Sequence, residues 1–274
     1  MFPDAAAAYH LTIAVAAAAV GVGLFLWTMG TAGVPTWRAL LFVLAIVAGA
    51  HFGGVSHIVR SAPAWDWSAL FTLSYRHPDA IAGVAVTFIL FRPLLLPGTS
   101  PWLVADCLAP SSAFALVLMR INCFLAGCCF GCPTHVSWSI RQPPGSPAST
   151  LHAGFGWIAS DALPSLPVHP LELYFLALSL AAGVLALWLL RRKAYDGQVI
   201  LAYLLVHEGG KFLLEFLRGA PRGAYNPTVS LVLALGAGAT LAWRAVGRQR
   251  PHAAGTGDPF AENVVDGTVA RPRA

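Results

Sequence analysis

The sequence predicts an all-α, polytopic membrane protein with about seven transmembrane helices and a small extracytoplasmic loop region. Three observations carry this. The 274 residues are 57% hydrophobic and only 11% charged, where a soluble domain has about 25% charged residues. The mean hydropathy is +0.67. Residues 11–29 and 39–59 are charge-free runs, each long enough to cross a ~30 Å hydrocarbon core as a helix.

The first two spans, 9–29 and 39–58, follow from those runs. The start, "MFPDAAAAYH", holds Asp4 and no Lys or Arg. A secretory n-region is basic, so the first span is expected to be retained. A third span, 78–96, carries Arg92 near its end, where a long basic side chain can reach the interface. The fourth, 101–119, carries Asp106 and Pro110 and has the weakest hydropathy. Residues 133–168 contain "RQPPGSPAST". A connection this long is expected to be functional or disordered, here a small extracytoplasmic lid. The fifth span, 171–190, is strongly apolar, and 228–245 closes the set as the seventh. Residues 1–248 form the membrane domain on this reading, and 249–274, poor in hydrophobic residues, a disordered cytoplasmic tail.

Orientation follows from Lys/Arg asymmetry. With the N-terminus outside, the inner face receives Arg38, Arg92, Arg191, Arg192, Lys193, Arg244, Arg248 and Arg250. Arg60, Arg76, Arg120, Arg141, Arg218 and Arg222 fall outside. The net charge of +5 therefore reflects topology, and a nucleic-acid partner is excluded.

The sixth span, 199–217, departs from apolarity and points to function. Ionisable residues inside a span are expensive and mark sites. In "HEGGKFLLEFLRG", His207, Lys211 and Glu215 recur every four residues and Arg218 follows three later, so all share one helix face. A Lys211–Glu215 ion pair would account for part of this pattern. Two cations with a carboxylate and a histidine fit an anion site better. Gly209 and Gly210 let a neighbouring backbone or a substrate approach.

The run "RINCFLAGCCFGCPT" opens with Arg120, at the end of the fourth span. "INCFLAG" is apolar enough to re-enter the membrane as a loop, with Gly127 and Gly131 relaxing backbone limits. An arginine under such a loop can grip a phosphate with its planar fork. In "VHPLELY", Glu172 is placed to cap the fifth span, and His169 lacks that explanation. His51 and His57, near paired glycines, suit hydrogen-bonded core roles.

The cysteines leave several readings open. Cys129-x-x-Cys132 has zinc-ligand spacing, but Cys123 or Cys128 with His135 makes a poor second pair. Bridges Cys129–Cys132 or Cys123–Cys132 fit an oxidising face. A redox CxxC lacks its βαβ context. Small buried thiols packing a tight loop complete the set. No metal and no cofactor are assigned.

Together these segments resemble the prolipoprotein diacylglyceryl transferase family. "RINCFLAGCCFG" has the spacing of its arginine and Gly/Asn-rich loop, and "VADCLAP" looks like its V-x-D-x-x-A-P stretch. "HPLELY" is similar to H-P-x-Q-L-Y-E, and "DGQVILAYLLVHEGGKFLLEFLRG" looks like the family's closing segment. The likeness runs from about residue 102 to 220. It implies a seven-span bacterial inner-membrane enzyme that moves a diacylglyceryl group from phosphatidylglycerol to the lipobox thiol of a prolipoprotein signal peptide. It also implies that Arg120 grips the phosphate and that Lys211 stands where the family has a second arginine. Glu215 and Arg218 match the acid and arginine that follow, and Gly127 and Gly131 match loop glycines. His169 becomes a candidate substrate contact. The departures are specific. Cys123 replaces the family's asparagine, and Cys128 its loop glutamate. The family's catalytic histidine precedes paired glycines, whereas His77 in "SYRHPDA" does not; His77 is the candidate base. Two alternatives remain: a lipid-binding paralogue or a transferase with another acceptor, and a membrane thiol or metal protein built on the 123–132 cluster.

Overall fold

Eight helices account for almost all regular structure among the described residues of the computed structural model, which are 3–61, 76–220 and 225–249. They are α1 (Pro3–Thr31), α2 (Thr36–Ser61), α3 (His77–Leu95), α4 (Pro101–Ala126), α5 (Pro147–Gly154), α6 (Leu171–Leu190), α7 (Gln198–Glu215) and α8 (Tyr225–Gln249). Beyond these, only isolated β-bridges occur among the described residues. Arg222, Arg250 and the tail beyond Gln249 lie outside them.

Among the described residues, six helices are long and apolar enough to cross a membrane: α1, α2, α3, α4, α6 and α8. α7 has 18 residues, about 27 Å of helix, but carries Glu208, Lys211 and Glu215. It is therefore set apart from the six by its charge. It packs against α6, α8 and α4, and His207, Glu208 and Lys211 are buried there, away from lipid where they would be costly.

Packing in the bundle relies on small residues, because lipid gives helices no hydrophobic reason to associate and close backbone approach supplies the attraction. α2 and α3 meet at Gly49, Gly53 and Gly83. A Cβ on Gly83 would lie 2.0 Å from the Gly49 carbonyl oxygen, and one on Gly53 2.4 Å from that of Asp79. Ala109 and Ala113 of α4, Ala182 and Ala186 of α6 and Val199 and Tyr203 of α7 form a second tight core. Phe25, Met29, Phe42, Leu96 and Val104 fill a third, between α1, α2 and α4.

Asp106, the oddity of the fourth span, is fully buried and anchors the start of α7. Its Oδ1 accepts the N–H groups of Val199 and Ile200 at 3.1 and 3.0 Å, and Oδ2 that of Gly197 at 2.9 Å. A carboxylate here satisfies free donors of the first turn and complements the helix dipole. Lys193 Nζ adds bonds to Asp106 at 2.9 Å and Asp196 at 2.7 Å. Arg244 of α8 donates to the Asp196 carbonyl and lies over Trp102 and Tyr195, closing this end of the bundle.

At the other end, α4 corrects one expectation. Residues after Arg120 do not leave as a re-entrant loop: the helix runs six residues further, to Ala126. "INCFLA" contains no breaker, and the helix stops where Gly127 adopts the left-handed conformation, φ 60°. The 133–168 segment is ordered. Residues 133 and 140 both bridge to Val168, α5 starts with Ser146 accepting the Ser149 N–H, and Phe130, Ala148 and Val168 form its small core.

Candidate functional site

Three stretches of backbone converge beyond the end of α4. Gly131 N–H donates to the His169 carbonyl at 3.0 Å, and His169 N–H returns to Cys132 at 3.2 Å. Cys132 N–H donates to Leu217 at 2.7 Å, and Gly219 N–H to Phe130 at 3.1 Å. Gly131 is needed because a Cβ there would meet His169 Cβ at 2.6 Å, the His169 oxygen at 2.8 Å and the Leu217 oxygen at 3.0 Å. Gly131 and His169, both predicted site residues, are thus neighbours. His169 Nδ1 lies 3.2 Å from the Tyr174 hydroxyl, which also accepts from Trp138 Nε1 at 2.6 Å.

This ladder carries Arg218 onto α6. Arg218 forms a bidentate pair with Glu215, Nε to Oε2 at 2.7 Å and Nη2 to Oε1 at 2.9 Å, with both side chains 6% exposed. Its guanidinium lies 5.8 Å from the centre of the Phe175 ring, and that of Arg120 lies 4.5 Å from the same ring. Phe175, 1% exposed, therefore gathers two cations by cation–π attraction. Arg218 is neutralised by Glu215. Arg120 Nε is buried without a hydrogen-bond partner, so this guanidinium has donor capacity to spare.

Lys211 sits in a second network. It pairs with Glu208 rather than Glu215: Nζ lies 3.5 Å from Glu208 Oε2 and donates to Ser230 Oγ at 3.0 Å, while Ser230 donates to Glu208 at 2.8 Å. The Lys211–Glu215 ion pair that the spacing allowed does not form, because Glu215 is taken by Arg218. Glu208 Oε1 also receives His207 Nδ1 at 3.1 Å and His77 Nε2 at 3.2 Å. His207 Nε2 is 3.3 Å from Ser179 Oγ, and its ring stacks on Tyr203. His77 is one-quarter exposed against 3% for Glu208, so the ring is held at Nε2 and only partly open. Gly210 admits Leu178 of α6, not a backbone.

Sequence reasoning missed Glu208, Ser230, Phe175 and His10. Glu208 was visible as a charge inside a span but lay off the i+4 face. Phe175 had no signal among many apolar residues. His10 Nδ1 of α1 bonds the Asn122 side-chain oxygen, two residues past Arg120. Glu172, expected to cap its helix, lies in the first turn of α6, where no side-chain cap bond forms; its Oε1 instead accepts the Cys129 N–H at 3.2 Å across to the loop.

No disulfide joins the five cysteines, so the bridges to Cys132 are not formed. The sulfurs of Cys123, Cys128 and Cys129 lie within 4.8 Å of one another, without Cys132 or His135. Hydrogen bonding to the other two sulfurs, together with burial, pushes the Cys128 thiol above its ordinary range.

Fold and site define a helical membrane protein with an arginine whose Nε is buried and unpartnered and a histidine held by a buried carboxylate. The chain belongs to the prolipoprotein diacylglyceryl transferase family, whose model matches residues 7–243. It is 34% identical over 119 residues to a phosphatidylglycerol–prolipoprotein diacylglyceryl transferase of Clostridium tetani, covering 43% of this chain and 42% of that one. A second such protein of Clostridium perfringens is 31% identical over 121 residues, 44% and 42% of the two chains. One from Cupriavidus pinatubonensis is 32% identical over 187 residues, 64% and 58%. These matches span less than two thirds of each relative's length.

Proposed function

We propose that the protein transfers a diacylglyceryl group from phosphatidylglycerol to the cysteine thiol of a prolipoprotein. The observation that carries this is Arg120: a half-buried arginine, in the position of the family's signature arginine, whose buried Nε has no partner. Its relatives carry that activity in their names.

In this reading Arg120 binds the lipid phosphate and stabilises charge growing on the leaving glycerol phosphate. Arg218, locked by Glu215, holds the floor through Phe175. Lys211, held by Glu208 and Ser230, contributes long-range positive potential rather than a bidentate grip. His77 takes the thiol proton. The sulfur attacks the glyceryl carbon, the carbon–oxygen bond to phosphate breaks, and glycerol phosphate leaves with the electron pair. Gly127 and Gly131 shape the loop over the phosphate, and His169 lines its edge. An apolar groove of about 590 Å³ between α2 and α3, lined by Phe52, Val86 and Phe91 with Asp79, is suited to an acyl chain.

The membrane arrangement belongs to the same proposal: seven crossings with α7 as the sixth, N-terminus outside, the 133–168 lid extracytoplasmic and the tail after 248 cytoplasmic, in a bacterial inner membrane. Transfer of labelled phosphatidylglycerol to a lipobox peptide tests the reaction. Arg120→Ala is expected to lower it by about 100-fold or more, the scale for losing one transition-state donor. Wild-type transfer in that variant rejects the reading. Lys211's commitment to Glu208 favours a second reading, lipid-phosphate binding without transfer. Saturable lipid binding with no product would establish it.

A further inference from the structure

Beyond lipid transfer, we infer that Cys123, Cys128 and Cys129 form a binding site for one thiophilic d10 cation, Zn²⁺ or Cu⁺. The site arises from the way α4 ends. Cys123 lies in its last turn, Gly127 reverses the chain at φ 60°, and Cys128 N–H bonds back to the Cys123 carbonyl at 3.3 Å. The turn folds the next two residues over the first. Cys128 and Cys129 sulfurs are 3.6 Å apart, Cys128 Sγ is 3.7 Å from the Cys123 oxygen, and all three sulfurs fall within 4.8 Å.

Those separations suit a metal. Zinc–thiolate bonds of about 2.3 Å place three sulfurs about 4.0 Å apart in a trigonal plane and about 3.8 Å apart on a tetrahedral face. The observed cluster needs adjustments below about 1 Å. Soft thiolates select Cu⁺ and Zn²⁺ over hard cations. Cys129 is buried, Cys123 half-buried and Cys128 exposed, giving a closed back and one open side for entry. Three thiolates on such a cation leave net negative charge on the cluster.

A supporting residue is already in place. Metal sites are held by outer groups that fix their ligands. Glu172, fully buried, holds the Cys129 amide through Oε1, and its Oε2 has no partner. The Cys132 sulfur does not join the three, and its backbone is tied to Leu217. Cys107 belongs to the core between α1, α2 and α4. Binding releases the thiol protons and would tie the loop after α4 to the end of that helix.

The test uses full-length protein in detergent, reduced and stripped with chelator. Cd²⁺ titration reads the sulfur-to-metal charge-transfer absorption. Zn²⁺ and Cu⁺ are then counted per chain by elemental analysis after gel filtration. Expected are a plateau at about one equivalent and a loss of affinity of at least about 10-fold in Cys123→Ser, Cys128→Ser and Cys129→Ser, with Cys107→Ser and Cys132→Ser unchanged. Retention of Zn²⁺ alone, Cu⁺ alone or both supports the site. No saturable absorption, or a Cys132→Ser loss equal to that of Cys128→Ser, overturns it. Cys128→Ser lies on the exposed side and carries the test should a buried variant fail to fold. None of these readouts depends on lipid transfer.

Discussion

His77 Nε2 and Glu208 Oε1 lie 3.2 Å apart, joining the first turn of α3 to the middle of α7. The carboxylate also meets His207, Lys211 and Ser230. Glu208→Gln keeps the shape and removes the charge that orients His77. Transfer is expected to fall about 10- to 100-fold, with a displaced pH–rate profile. Glu208→Ala also strands Lys211, 3% exposed, without a counter-charge, which costs about 3–5 kcal/mol. Kinetics and thermal unfolding in detergent separate the effects. Wild-type kinetics in Glu208→Gln would remove His77 as the base.

Asp106 makes a stability prediction at the opposite end. Asp106→Asn loses the charge that caps α7 and leaves Lys193 bonded to Asp196 alone. The expected cost is about 1–2 kcal/mol from the cap, read as a lower unfolding midpoint. Lys193 supplies a pH signature. Burial pulls its pKa down, but hydrogen bonds to Asp196 and Asp106 outweigh this and raise it. A base with a raised folded pKa stabilises fully below its unfolded value, about 10.4, and the effect fades as pH climbs through the folded one. The difference between wild type and Lys193→Met should stay constant from pH 6 to about 9 and shrink only in more alkaline solution. A difference that vanishes near neutrality would show that the pair does not form.

These two networks show what was legible in the sequence. The helices were, because apolar runs of span length leave few alternatives, and 171–190 coincides with α6. Arg120, Gly131 and Arg218 were also legible, since a charge beside a span and a glycine beside a turn each stand out locally. Glu208 was not assigned, because its partner His77 is 131 positions away and periodicity within one helix ranks Lys211 with Glu215. The continuation of α4 past Arg120 was missed because apolarity serves a helix and a re-entrant loop equally. Only the conformation of Gly127 decides between them.

Gly131→Ala tests the convergence of the three backbone stretches. The added methyl would press on two carbonyl oxygens and the His169 Cβ within 3.0 Å, none of them a flexible chain end. The ladder must open, separating the loop from Arg218. Loss of most lipid transfer is expected, with destabilisation of about 1–3 kcal/mol, the range for overpacking. Gly154→Ala, where nothing lies within 4 Å, serves as the control and should behave as wild type. Equal activity in both variants would show that the ladder does not position the site.

His152 makes the 133–168 segment sensitive to acid. Its ring is fully buried between Phe130 and Trp157. Nδ1 accepts the Leu166 N–H at 3.1 Å, while Nε2 has no partner. Burial disfavours the imidazolium and lowers the pKa below the ordinary value. Unfolding or opening of the segment lets the ring bind a proton, so its stability is full above about pH 6.5 and declines as pH falls toward the lowered folded value. Hydrogen exchange at Leu166 and its neighbours should therefore quicken between about pH 6.5 and 5, after correction for intrinsic rates, as should limited proteolysis of the segment. In His152→Gln the side-chain oxygen can still accept the Leu166 N–H but cannot titrate, so the acid-dependent component should disappear. An identical pH slope in wild type and His152→Gln would assign the opening to another group.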